Sequence, residues 1–179
     1  MVIGTKELLK LVKEKKLVED LSERELTNPE GAGFDLCLGK VHEISGRAFM
    51  GLEERESAKS KLIREFKKDK KQSIIIKPGK GYLVTTVEKV NMPDNITANM
   101  TLRGTLYRSG IILSCGNIAP GYQGELSVTL YNSGRADMEI ELGARILHIQ
   151  FSKVTGSTNL YRGQWQGGRV ATKKREVQV

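Results

Sequence analysis

Two arginines, a small-residue loop and a proline-glycine turn are the parts of this chain best equipped for chemistry. In Thr101-Leu102-Arg103-Gly104-Thr105-Leu106-Tyr107-Arg108-Ser109-Gly110, Arg103 and Arg108 flank a Gly104-Thr105 pair. Backbone N–H groups exposed at such a loop can hold the oxygens of an anion. A guanidinium adds forked donors that stay charged. Asn117-Ile118-Ala119-Pro120-Gly121-Tyr122-Gln123-Gly124-Glu125 follows, a Pro-Gly-x-x-Gly turn that opens a strand. An Arg-Gly-Thr sequence alone is most often only a turn, so the anion reading depends on the company it keeps.

Metal chemistry has little material. Cys37, Cys115, His42 and His148 are all the soft ligands present, at spacings that match no zinc motif. Both cysteines lie in apolar segments and are expected as small buried hydrophobes. Zinc-activated water is therefore not expected, and proton transfer falls to carboxylates and hydroxyls. Asp35, Glu125 and Ser114 are the groups nearest the motifs.

These residues need a scaffold, and the periodicities describe one. Leu8, Leu9, Leu11 and Val12 recur at helical spacing over Thr5 to Lys16, with Thr5 placed as N-cap. A polar link from Glu19 to Gly31 leads to Phe34, Leu36 and Leu38, which alternate as in a half-buried strand. Gly51 to Lys71 is dense in Lys and Glu and reads as a helical excursion with an incomplete apolar face of Leu52, Leu62, Ile63 and Phe66. Short β-branched runs then dominate: 73–77, 81–90, 96–102, a buried strand over 110–115, 125–132, 138–142 and 144–151. Regular short strands with Gly/Pro turns predict a mainly β, jelly-roll-like barrel with helical decoration near the front. Residues 1–154 are expected as one β domain. From 155 to 179 the period dissolves into a Gly/Gln/Arg-rich tail holding Tyr161, Gln164, Trp165 and Gln166. That composition suits a frayed terminus and a segment folding over a nucleobase equally.

The totals set outer limits. At 179 residues with 28% charged, one globular domain with a substantial core is expected. The longest apolar runs fall far short of the roughly 20 residues of a membrane span, and the start lacks a signal-peptide core. A cytoplasmic protein without membrane contact is expected. A net charge of +8 draws polyanions. The basic run lacks interleaved aromatics other than Phe66, so a nucleic-acid footprint is not expected.

Taken together, these segments resemble the dCTP deaminase and dUTPase superfamily, and the deaminase branch more than the simple diphosphatases. The likeness is carried by Gly33-Phe34-Asp35-Leu36-Cys37-Leu38-Gly39 and by Met92-Pro93-Asp94. Arg103 to Gly110 stands in the place of Arg-Ser-Ser-x-x-Arg-x-Gly, and Ile118 to Gly124 in the place of Ile-Asp-Pro-Gly-Tyr-x-Gly. Tyr131-Asn132-Ser133-Gly134, Gly143-Ala144-Arg145-Ile146 and the tail from Tyr161 to Gly168 follow in order. The resemblance implies a homotrimer with active sites between subunits, binding dCTP or dUTP with Mg²⁺ on the triphosphate. It implies a triphosphate on Arg103, Gly104 and Thr105, Arg108 reaching towards a neighbouring subunit, and Tyr161, Gln164 and Gln166 in the closing tail.

The chemistry is where the chain departs from that pattern. Zinc-free deamination needs a carboxylate to take the water's proton and pass it to leaving ammonia. The deaminases' glutamate position is Thr129 here, and the diphosphatases' aspartate position is Ala119. Glu125 shares strand parity with Thr129 but lies about 13 Å along the strand. Three readings stay open: hydrolytic deamination of dCTP to dUTP, hydrolysis of dUTP to dUMP and pyrophosphate, and nucleotide binding with impaired catalysis.

Overall fold

Phe34, Leu36 and Leu38 open the longest strand in the structure, a computed structural model that describes residues 1–178. In chain order the elements are α1 (Thr5–Lys15), β1 (Val18–Glu19), α2 (Glu23–Thr27), β2 (Phe34–Ser45), β3 (Phe49–Met50), β4 (Glu54–Glu56), β5 (Lys59–Glu65), β6 (Ser73–Ile76), β7 (Gly81–Asn91) and β8 (Ile96–Leu102). These are followed by α3 (Gly104–Arg108), β9 (Ile111–Ser114), β10 (Gln123–Asn132), β11 (Met138–Glu141), β12 (Arg145–Lys153) and β13 (Glu176–Val177).

The main sheet runs β8-β12-β2-β7-β10-β9, with β5 added to β2 and β1 to β7. Ala98 and Ile118 exchange backbone hydrogen bonds of 3.0 Å, drawing β8 towards the loop after β9. The sheet thus curls into a nearly closed, jelly-roll-like barrel, as the strand periodicity predicts. Its filling follows from the alternation: Val41, Val84 and Val128 lie side by side across β2, β7 and β10, all buried. Phe34 and Phe151 meet edge-on with centroids 6.3 Å apart. Each fully buried side chain of this size contributes about 1.5–3 kcal/mol. Among the described residues, no helix is long and apolar enough to cross a membrane.

The helical excursion expected over Gly51 to Lys71 is instead a β arm. β5 pairs with the far half of β2, from His42 opposite Leu62 to Ser45 opposite Lys59. β2 extends beyond the barrel and offers a ladder of backbone partners, which outweighs local helix preference where the apolar face is incomplete. Phe66 turns inward at the arm's end, its N–H on the Gly39 carbonyl at 2.7 Å. Two smaller expectations also change. Gly4, not Thr5, occupies the N-cap of α1, its carbonyl taking the Glu7 and Leu8 N–H groups. The segment expected as a buried strand is β9, an edge strand in which Ile111 is buried, Ile112 and Ser114 are exposed, and Cys115 beyond it is exposed rather than buried.

Candidate functional site: a cleft beneath the C-terminal tail

The Pro-Gly turn forms a docking platform because two of its glycines adopt backbone angles that other residues resist. Gly121 has φ +81° and Gly124 φ +128°. The tail lies directly on them: Leu160 packs over Gly121, and the Gly167-Gly168 backbone passes over Gly124. Hydrogen bonds fix the approach. Tyr161 N–H donates to the Pro120 carbonyl at 2.7 Å, Gly167 N–H to the Gln123 carbonyl at 2.8 Å, and Gln166 Nε2 to the Gly121 carbonyl at 3.0 Å. The Gln123 N–H in turn donates to Gln166 Oε1 at 3.0 Å.

Between this platform and the tail lies a cleft of about 360 Å³. Ala119, Tyr122, Leu83 and Ser127 form its barrel side; Tyr161, Trp165, Arg169 and Val170 form its tail side, and Ser57 of the arm completes the wall. Tyr122 and Tyr161 stack edge-on at 5.3 Å. This size lies within the range of small-molecule sites. The wall is mostly apolar and, among the described residues, contains no carboxylate. Burial, followed by the neighbouring Tyr161, pushes the Tyr122 phenol up to about 12, so it stays protonated near neutrality and cannot serve as a base.

The tail is pinned to the arm as well. β13 pairs with β4, and β4 with β3, giving a three-stranded sheet beside the cleft. Ser57 N–H donates to Thr172 Oγ1 at 3.0 Å, and Thr172 N–H to Ser57 Oγ at 2.9 Å. Arg169 forks onto Glu176, and Gln164 Nε2 donates to the Val177 carbonyl at 2.5 Å. Arg55 of β4 stacks 5.1 Å from the Trp165 ring centroid.

The arginines of the candidate anion site lie elsewhere. Arg103, at the N-cap of α3, sits with Gly104, Thr105, Glu139, Glu141 and Arg145 around a second cleft, of about 640 Å³, and the two clefts share no described residue. Arg103 Nη1 lies 2.9 Å from both oxygens of Asp35, which is 1% exposed. Arg145 Nη1 at 2.9 Å and His148 Nδ1 at 3.0 Å share the same carboxylate. Glu25 receives the Asp35 N–H at 2.9 Å and also pairs with Arg24. Asp35 is therefore the counter-charge that orients Arg103. Thr105 and Arg108 are exposed, Arg108 lying 5.5 Å from the ring of Tyr107.

Thr129 and Ser114 are cross-strand partners on β10 and β9, outside the wall of the first cleft. Glu125 is committed: Lys40 Nζ donates to both its oxygens at 2.7 Å, and Thr85 Oγ1 donates at 3.2 Å. No three His, Cys, Asp or Glu side chains among the described residues gather in a way that could hold a metal ion. The structure thus puts Ala119 and Tyr161 in the wall of the tail cleft, uses Gln164 and Gln166 to fasten the tail to Val177 and Gly121 without lining the cleft, and gathers Arg103, Gly104 and Thr105 around the other. The sequence reading missed Ser57 and Arg55, which it had placed on a helix. It also missed Arg169, which carries no motif.

A family model described as dCTP deaminase-like matches residues 2–154. The chain is 33% identical over 167 residues to a dCTP deaminase of Pyrococcus furiosus, covering 92% of this chain and 94% of that protein. It is 30% identical over 167 residues to one of Thermococcus kodakarensis, at 92% and 95% coverage. In fold it is similar to the 2'-deoxycytidine 5'-triphosphate deaminase of Agrobacterium tumefaciens, with a TM-score of 0.64 and 16% identity over 86% of this chain. The match spans 49% of that longer chain.

Proposed function

Because the chain belongs to the dCTP deaminase-like family, we propose that it works as a cytoplasmic homotrimer that binds dCTP and deaminates it to dUTP slowly, without zinc. One observation carries this reading: Ala119, Tyr122, Tyr161 and Trp165 bound a nucleoside-sized cleft, and the slow rate follows because, among the described residues, its wall holds no carboxylate. The apolar and aromatic surfaces suit a pyrimidine and its sugar. The phosphates would lie on Arg103, Gly104 and Thr105 of a neighbouring subunit. That arrangement explains why one chain carries the two halves of the site in separate clefts.

In the reaction, water adds to C4 of cytosine, one of its protons is removed, and the C4 amino group leaves as ammonia after gaining a proton. A positioned base usually contributes on the order of 10²–10⁴-fold to such a step. Thr129 cannot supply it near neutrality, and Glu125 is held by Lys40 and Thr85. Mg²⁺ fits as a passenger on the triphosphate, where it would neutralise phosphate charge. In the Arg103 cleft, Glu139 accepts a hydrogen bond from Ser73 and Glu141 pairs with Lys71 on an exposed surface. Hydrolysis of dUTP is the weaker reading, since Ala119 stands at that chemistry's aspartate position in the cleft wall.

The test is to incubate the purified protein with dCTP and Mg²⁺, separate the products by chromatography, and measure dCTP binding by calorimetry. Thr129→Glu should raise turnover by on the order of 10²–10⁴-fold with dCTP affinity little changed. Absence of dCTP binding would sink the nucleotide reading. Equal turnover by the wild type and Thr129→Glu would sink the account of the missing base.

A further inference from the structure

Five buried side-chain nitrogen and oxygen atoms among the described residues find no hydrogen-bond partner in the chain: Arg55 Nε and Nη2, Ser127 Oγ, Gln164 Oε1 and His42 Nε2. Orphans of this kind are uncommon and concentrate where a structure must meet something else. Here they cluster. Ser127 is in the wall of the tail cleft, Arg55 stacks on the wall residue Trp165, and Gln164 is the residue before it.

The two Arg55 atoms form a pair with a specific geometry. Nε–H and the Nη2 N–H on the same side of a guanidinium point in parallel, the fork that accepts two oxygens of one carboxylate or phosphate. The neighbouring acids do not fill it. Glu176, opposite Arg55 in the β13–β4 ladder, is taken by Arg169, and Glu54 lies 3.8 Å from Arg175. The guanidinium is also braced, since β4 is the central strand of the arm sheet and Trp165 covers its face. A buried charged donor pair without an acceptor is costly, and an oxyanion arriving there removes that cost.

We propose that Arg55 is a ligand-binding residue of the tail cleft, its side-on fork taking two oxygens of the phosphate tail of a bound nucleotide. This rests on the nucleotide reading above and adds to it a residue supplied by the β arm. Both donor atoms are closed from bulk water, so the oxyanion reaches them only when the Trp165 ring over the guanidinium shifts.

The test is calorimetric titration of the full chain with dCTP and, separately, with pyrophosphate, for the wild type, Arg55→Ala, Arg55→Lys and Arg175→Ala. Arg55→Lys keeps a cation over Trp165 but loses the parallel donors. Arg175→Ala is the structural control, removing a cation that stacks on Phe49 in the same small sheet. Both Arg55 variants should bind dCTP about 10- to 100-fold more weakly, and Arg175→Ala should match the wild type. Wild-type affinity in Arg55→Lys, or an equal loss in Arg175→Ala, would overturn the proposal. If the wild type binds pyrophosphate through Arg55 but binds no dCTP, the nucleotide reading fails while the oxyanion fork stands.

Discussion

Replacing Asp35 with Asn should cost the fold more than any other single-atom change near the candidate site. Asp35 is 1% exposed and receives Arg103, Arg145 and His148 at 2.9–3.0 Å, with Arg24 a further 3.7 Å away. Asn keeps the volume but removes the charge and turns an NH₂ group towards guanidinium donors. Hydrogen bonds to charged groups contribute about 1.5–3 kcal/mol each, so three would suggest roughly 5–9 kcal/mol if they were independent. They are not independent, and the Arg103 and Arg145 side chains are 32% and 38% exposed. Both can turn to water once the carboxylate is gone. The loss should therefore fall to about 3–5 kcal/mol, the usual cost of breaking a buried pair. Urea unfolding at fixed protein concentration would read this as a midpoint lower by about 2 M with an unchanged slope. Arg103→Ala should cost clearly less, because it leaves Asp35 with Arg145 and His148. A loss below about 1 kcal/mol for Asp35→Asn, or a larger loss for Arg103→Ala, would refute Asp35 as the common counter-charge.

Glu88 is buried with its carboxylate on the Cys37 N–H at 2.8 Å, and burial pushes its pKa up to about 7. The fold prefers the protonated form, so this stability is present below the unfolded pKa near 4.5 and is lost as pH rises through about 7. The change amounts to about 3 kcal/mol at most, and Glu88→Gln should flatten it; a wild-type urea midpoint that stays constant from pH 5 to 8 would contradict this. At Gly124, a Cβ would stand 2.4 Å from the Gly168 nitrogen at a φ of +128°. Gly124→Ala should therefore lift the tail and speed tryptic cleavage at Arg162 and Arg169, whereas unchanged cleavage would show that the tail does not depend on this contact.

Alternation within single strands made the barrel legible, as in Ile96 to Leu102, where Ile96, Ala98 and Met100 are buried and their neighbours are not. Phe34 to Leu38 alternates in polarity too, but it is not the half-buried strand expected, because Asp35 and Cys37 are buried along with Phe34, Leu36 and Leu38. The arm was not legible for a physical reason. Lys59 to Glu65 pairs with a stretch of β2 beyond the barrel and buries neither face fully, so no period of two is imposed on it. Its dense Lys and Glu then mimic a solvated helix. That misreading also hid Arg55 and Ser57, whose roles come from partners more than a hundred residues away in the tail. The cleft was half visible. Pro120, Gly121 and Gly124 announce a turn, but that the tail would lie over it depends on space at two glycines that only coordinates display. Likewise, Arg103 reads as an anion holder in sequence, while the fold gives it Asp35 as a partner.

The register explains why the missing base is not simply replaced from within the strand. Leu62, His42, Leu83, Thr129 and Ser114 form one row across β5, β2, β7, β10 and β9. Along β10 Leu126, Val128 and Leu130 are buried and alternate with the half-buried Glu125, Ser127 and Thr129. Of these last three only Ser127, beside Leu126, is in the cleft wall, and Thr129 lies two residues further along the strand. Glu125 is the only carboxylate of β10, and its oxygens neutralise Lys40 at 2.7 Å; protonating it in a catalytic cycle would break that pair at every turnover. Moving it towards Thr129 would also strand the Lys40 ammonium on a half-buried surface, which is costly. Thr129→Glu is different in kind. It adds a carboxylate at a half-buried position with no ion pair to dismantle, so any gain in turnover reads the chemistry of the base and not a rearrangement of the sheet.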